Sequence, residues 1–173
     1  MIKTINTLFV TMFGLGKVPK IPGTFGSLAT VIILYLFFHI FNLSSNLILI
    51  FLIIIFILSF SAVAHHIKDN ENKDPKEVII DEFIGQSIPI YLYEISHGTE
   101  KSSNEALIFY GIFFVLFRFF DITKIGPIKK TEKLKGGYGI MADDILAGIF
   151  AFITQSAILT YFNQQFLIKS YMG

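Results

Sequence analysis

Leu47-Ile-Leu-Ile-Phe-Leu-Ile-Ile-Ile-Phe-Ile-Leu58 is apolar without interruption, and the apolar character extends to about Ala64. A bilayer core takes roughly 20 helical residues, so this stretch is predicted to cross a membrane as a helix. The rest of the composition agrees. Of 173 residues, 53% are hydrophobic, 20 are Phe and only 16% are charged, against roughly a quarter charged in soluble domains. The expected fold is therefore all-α, a helical integral membrane protein forming a single domain over residues 1–173. A net charge of +1 leaves no basic excess for a polyanion, and nucleic acid is not an expected partner. The chain contains no Cys, which removes disulfides, thiolate zinc sites and cysteine nucleophiles together.

Upstream of this stretch, Leu28 to Leu43 is apolar except for Thr30, His39 and Asn42. It is short, and is expected to need tilt or local thinning of the bilayer. Before it lies Gly14-Leu-Gly-Lys-Val-Pro-Lys-Ile-Pro-Gly-Thr-Phe-Gly-Ser27, whose Gly and Pro content predicts irregular backbone. Leu8 to Phe13 is too short for the apolar region of a secretory signal, so the start of the chain is expected to be retained. Downstream, His65 to Lys76 is a polar loop and Glu94 to Glu105 a second one. Between and after them come Phe83 to Tyr93, Ala106 to Phe120 and Ile145 to Phe162, giving about four to five apolar helices. Phe83–Tyr93 and Ala106–Phe120 are short for spanning, which suggests tilted helices or a re-entrant hairpin.

If the chain crosses or turns at each apolar segment, residues 1–27, 65–82 and 118–144 share one side. That side holds 12 of the 14 cations and 10 of the 13 acids. Cationic loops stay cytoplasmic, so the polar motifs are predicted to gather on the cytoplasmic side.

Two acid pairs head apolar helices. Asp81-Glu82 and Asp143-Asp144 both sit at the edge of apolar sequence, where acids are costly and commonly functional. Carboxylates also cap helix N-termini without further purpose, but here each pair has a glycine on its own face. Gly85 follows Asp81 by four residues and Gly148 follows Asp144 by four, a spacing that lets two helices approach closely. The four carboxylates would then meet, and clustered carboxylates repel unless a cation or proton lies between them. A hard cation such as Mg²⁺ suits such ligands together with substrate phosphate.

Arg118, Asp121 and Lys124 fall at i, i+3 and i+6, a stripe that suits phosphate, with Asp121 orienting the cations or touching the metal. Thr24, Ser27 and the backbone around Gly23 offer donors just before a helix, a candidate anion cradle. Lys129, Lys130, Lys133 and Lys135 suit anionic lipid headgroups, with Lys135 also a candidate for substrate phosphate. His65 and His66 are adjacent, diverge on a helix and make a poor metal pair.

Absences narrow the chemistry. No Asp-x-Asp occurs, which weakens an aspartyl phosphatase of the haloacid dehalogenase type. One arginine is too few for histidine lipid phosphatases or CDP-alcohol transferases. What remains is carboxylate and metal chemistry on a phosphate at a membrane surface. The rival is a non-enzymatic transport or lipid-binding protein, whose acids would be spread through membrane depth. Here they lie at segment ends.

Four motifs occur in order: Gly14-Leu-Gly…Pro22-Gly-Thr-Phe-Gly-Ser27, Ile80-Asp-Glu-Phe-Ile-Gly-Gln86, Phe117-Arg-Phe-Phe-Asp-Ile-Thr-Lys124 and Lys135-Gly-Gly-Tyr-Gly-Ile-Met-Ala-Asp-Asp-Ile-Leu-Ala-Gly148. Together they resemble the phosphatidylglycerophosphatase A family, from about Gly14 to Ala151. Phe119-Phe120 and Ile125-Gly126 depart from the family's usual aliphatic and Pro-Trp residues, a change in packing or lipid contact. The resemblance implies a Mg²⁺-dependent lipid phosphatase of the bacterial inner membrane. It would convert phosphatidylglycerophosphate to phosphatidylglycerol and inorganic phosphate. In that reading Asp81, Glu82, Asp143 and Asp144 hold Mg²⁺, Arg118 and Lys124 bind phosphate oxygens, and Thr24 with the loop amides completes the cradle. One carboxylate then deprotonates water or attacks phosphorus directly. A lipid-phosphate phosphatase with another headgroup satisfies the same residues.

Overall fold

The computed structural model describes residues 2–68, 75–96, 103–131, 134 and 137–172. Among these, every regular element is helical. The helices are α1 (Ile2–Val10), α2 (Pro22–Tyr35), α3 (Ser45–Lys68), α4 (Ile80–Ser96), α5 (Ser103–Thr123), α6 (Ile128–Thr131) and α7 (Gly137–Met172). A short 3₁₀ turn at Leu15–Lys17 follows α1, and α2 continues through a π-helical turn at Leu36–Ile40. Four segments are long and apolar enough to cross a membrane: Pro22–Ile40, Ser45–Lys68, Ser103–Thr123 and Gly137–Tyr161.

Two expectations change. The glycine and proline stretch was expected to be irregular to Ser27, yet α2 begins at Pro22. Proline is well placed at the first helical position, where its missing N–H would have no partner anyway. The added turn lengthens the first span to 19 residues. Likewise, α5 extends beyond Ala106–Phe120 in both directions and reaches 21 residues, enough to span.

Helix α4 remains shorter, at 17 residues, and runs unbroken through Pro89. It is the central element, packed against α7, α2, α3 and α5. Ile80, Phe83, Ile84, Ile90 and Tyr93 are buried with Gly85, Gln86 and Ser87. By contrast α3 turns Leu47, Ile50, Ile54, Ile57 and Leu58 outward, as a helix facing acyl chains does. The loop entering α4 is pinned from the start of the chain: the Ile79 N–H donates to the Val10 carbonyl at 2.9 Å. Asn6 of α1 in turn donates its amide to the Ala62 carbonyl of α3 at 3.0 Å.

At the opposite end of α4, Glu94 accepts from the Tyr110 hydroxyl at 3.1 Å and lies 3.3 Å from His39 Nε2. This polar knot joins α2, α4 and α5 within a surround of Tyr35 and Tyr93 rings.

Candidate active site

The N-terminal turns of α2 and α4, the end of α5 and the start of α7 enclose one cavity of about 640 Å³. Gly23, Thr24, Asp81, Glu82, Arg118, Asp121, Lys124, Asp143 and Asp144 all line it. The three sequence regions predicted to share a side therefore meet at one end of the bundle.

The two acid-bearing helices meet as the glycine spacing predicted, but only α4 is headed by its acids: α7 begins at Gly137, so Asp143-Asp144, expected to open the last helix, lie inside it. A Cβ on Gly85 would lie 2.6 Å from the Asp144 carbonyl oxygen, and one on Gly148 would run into the Gly85 carbonyl. The close crossing brings carboxylate oxygens of Asp81, Glu82 and Asp144 within 4.8 Å of one another. Asp81 is 7% exposed and Asp144 3%. Asp81 Oδ1, Glu82 Oε2 and Asp144 Oδ1 are buried with no hydrogen-bond donor among the described residues. Burial, with the Glu82 charge beside it, holds the Asp81 carboxyl well above the usual carboxylate range. Burial also pushes Glu82 up to about 7, the Asp121 charge adding to the rise and Arg118 opposing it. Desolvated carboxylates in this arrangement require protons or a cation. Three buried oxygen ligands without donors fit a hard divalent ion such as Mg²⁺.

Asp143 occupies a different place in the same site. Its Oδ2 accepts from Lys124 Nζ at 2.7 Å, outside the three-carboxylate cluster. Lys124 itself departs from the helical stripe expected of it. Helix α5 ends at Thr123, and Lys124 adopts a left-handed backbone with φ 46°. A left-handed residue closes a helix C-terminus by returning its N–H to an earlier carbonyl, here Phe120 at 2.8 Å. The chain then turns away through Gly126 and Pro127.

Arg118 and Asp121 remain on one helical face and pair at 2.5 Å, with Arg118 Nη1 also 3.8 Å from Glu82 Oε1. Gly23 is what allows α2 to reach this group: a Cβ there would collide with Glu82 Oε1 and lie 3.0 Å from Arg118 Nη1. The first turn of α2 presents backbone N–H groups that no helical carbonyl can satisfy. Thr24 lines the cavity beside them, whereas the Ser27 hydroxyl is buried and donates to the Gly23 carbonyl at 2.9 Å. Lys135 lies outside the described residues. Two cavity-lining cations escaped the sequence reading, Lys20 and Lys76; both sit in loops where only the assembled fold brings them to the acids. The His66 ring, expected to have no metal role, pairs with Glu77 at 3.0 Å.

The family model for phosphatidylglycerophosphatase A matches residues 8–159. The chain belongs to the phosphatidylglycerophosphatase A family. Its curated relatives include a protein named phosphatidylglycerophosphatase A in Haemophilus influenzae, 36% identical over 87% of this chain and 86% of the relative. A second, of the same name in Escherichia coli, is 32% identical over 83% of this chain and 77% of the relative. A Bacteroides thetaiotaomicron protein, 34% identical over 86% of this chain and 90% of the relative, carries the name "Putative phosphatidylinositol-3-phosphatase". No solved structure matches the chain. Family membership makes the chain a phosphatase, a phosphoric monoester hydrolase, and its four membrane-length helices suit a multi-pass membrane protein.

Proposed function

We propose that the chain is a Mg²⁺-dependent phosphatidylglycerophosphate phosphatase, releasing inorganic phosphate and phosphatidylglycerol at the cytoplasmic face of the bacterial inner membrane. The observation that carries this is the convergence of three carboxylates, each with a buried oxygen that lacks a hydrogen-bond partner, with Arg118 and Lys124 in one cavity. The cavity lies at the end of membrane-length helices, where a lipid headgroup resides. The cation-rich segments that build it support the cytoplasmic assignment.

Asp81, Glu82 and Asp144 are the residues that would hold Mg²⁺. When bound, the ion supplies Lewis-acid stabilisation of charge developing on the phosphate oxygens. Arg118, held in place by Asp121, presents its guanidinium to the phosphoryl group, and Lys124, oriented by Asp143, adds a second positive charge. The free N–H groups of the first α2 turn and the Thr24 hydroxyl bind remaining oxygens. One carboxylate of the site accepts a proton from attacking water or attacks phosphorus itself. Surrounding acyl chains hold the diacylglycerol part of the substrate; membrane lipids are partners in that sense.

The relative named for a phosphatidylinositol phosphatase makes headgroup choice the point to test. Phosphate release from detergent-solubilised protein is measured with phosphatidylglycerophosphate, phosphatidic acid and phosphatidylinositol 3-phosphate, each with Mg²⁺ and with EDTA. Release from the first that EDTA abolishes is expected. Preferential release from the inositol lipid would transfer the activity to that headgroup, and release unaffected by EDTA would remove the metal.

A further inference from the structure

The proposed substrate carries two phosphates, a terminal monoester and the diester that links the headgroup to diacylglycerol. The carboxylate cluster with Arg118 and Lys124 accounts for one of them. The same cavity is walled by two more cations, Lys20 in the loop before α2 and Lys76 in the loop before α4. Both are exposed, whereas Asp81 and Asp144 are buried. Among the described residues neither lysine forms an ion pair, while Arg118 and Lys124 are each held by a carboxylate.

We infer that Lys20 and Lys76 form a rim subsite for the phosphodiester, and that this subsite makes the enzyme prefer a lipid with two phosphates. The inference rests on the phosphatase reading of the acid cluster. The lipid enters with its terminal phosphate foremost, and the diester follows one glycerol behind. With the monoester at the buried carboxylates, the diester is left for the exposed part of the same lining, to which Lys20 and Lys76 belong. Each is a compact positive charge suited to phosphate oxygens. Phosphatidic acid has its single phosphate directly on diacylglycerol. Once that phosphate reaches the carboxylates, no anion remains for the rim.

The test uses full-length protein in neutral-detergent micelles without added anionic lipid. Kinetics are measured for phosphatidylglycerophosphate, and for phosphatidic acid as substrate or, where it is not turned over, as competitive inhibitor. Variants are Lys20→Ala, Lys76→Ala, the double variant, and Lys20→Arg with Lys76→Arg. The double alanine variant is expected to raise KM for phosphatidylglycerophosphate about tenfold or more with kcat within about twofold. The KM or inhibition constant for phosphatidic acid is expected to change by less than about twofold, and the arginine variants to restore most of the loss. An equal rise for both lipids, no rise for either, or a fall in kcat on both would overturn the subsite. Should one alanine variant fail to fold, the other and the arginine pair carry the same comparison, since the lysines lie in separate loops. Wild-type protein that releases no phosphate from phosphatidylglycerophosphate would instead defeat the phosphatase assignment before any variant is made.

Discussion

The Gly85 carbonyl oxygen occupies the space in which a side chain on Gly148 would begin. That contact sets the distance between α4 and α7 and thereby the distance between Asp81 and Asp144. Gly148→Ala must push the helices apart or distort them, and overpacking of this kind costs about 1–3 kcal/mol. The expected result is a lower melting temperature in detergent together with a loss of phosphatase activity. Gly111→Ala is the control, because a Cβ there meets nothing within 4 Å and alanine favours helix by about 1 kcal/mol. A Gly148→Ala protein as stable and active as the Gly111→Ala protein would show that the crossing does not hold the site together.

The different placements of Asp143 and Asp144 predict different phenotypes for two adjacent residues. Asp144→Asn removes a member of the carboxylate cluster and should lower turnover about a thousandfold or more. It should also abolish any rise in melting temperature on adding Mg²⁺. Asp143→Asn leaves the cluster and loosens Lys124, so a loss of about 10–100-fold is expected, with the Mg²⁺-dependent rise retained. Isothermal titration with Mg²⁺ and melting curves separate the two. Equal loss of Mg²⁺ binding in both variants would place Asp143 among the ligands.

The raised carboxyls at the base of the cavity predict the pH response. Unfolded carboxyls lose their protons near pH 4, whereas Glu82 keeps its own to about 7 and Asp81 is also shifted upward. Between those values the folded protein binds more protons than the unfolded chain, so stability without metal falls as pH rises. Below that window both states are protonated and the cost vanishes. Mg²⁺ must displace the same protons, so its affinity rises through the same window. Melting curves from pH 5 to pH 8 in EDTA should move down in temperature, and the increment given by Mg²⁺ should grow. Glu82→Gln should flatten the EDTA series; a melting temperature that climbs from pH 5 to 7 in EDTA would contradict the cluster's protonation.

The meeting of α4 with α7 could be read from sequence, because acid pairs followed at four residues by glycine specify both a polar face and a close approach. The centrality of α4 could not. Gly85, Gln86, Ser87 and Pro89 lower its apolar character, and hydropathy measures exposure to lipid better than burial among other helices. The start of α2 was obscured for a related reason: Pro22 and Gly23 look like breakers, but one opens a helix and the other admits Glu82 and Arg118. Lys124 was misplaced by one conformational choice. Helical spacing carried it onto the face of Arg118, and a left-handed backbone at that residue delivers it to Asp143 instead. Lys20 and Lys76 carry no local pattern at all.

The knot at the far end predicts a variant that separates stability from chemistry. Glu94 receives the Tyr110 hydroxyl and faces His39, while the carboxylate cluster lies at the other end of the same helix. Replacing it by leucine leaves buried polar partners without their acceptor, at a cost of about 1–3 kcal/mol. Glu94→Leu should therefore melt several degrees lower while kcat and KM at a permissive temperature stay near wild type. Glu94→Gln, which keeps an acceptor oxygen, should recover part of the stability. A Glu94→Leu protein that melts like wild type but turns over substrate more slowly would instead tie this end of the bundle to catalysis, and the division of labour along α4 would not hold.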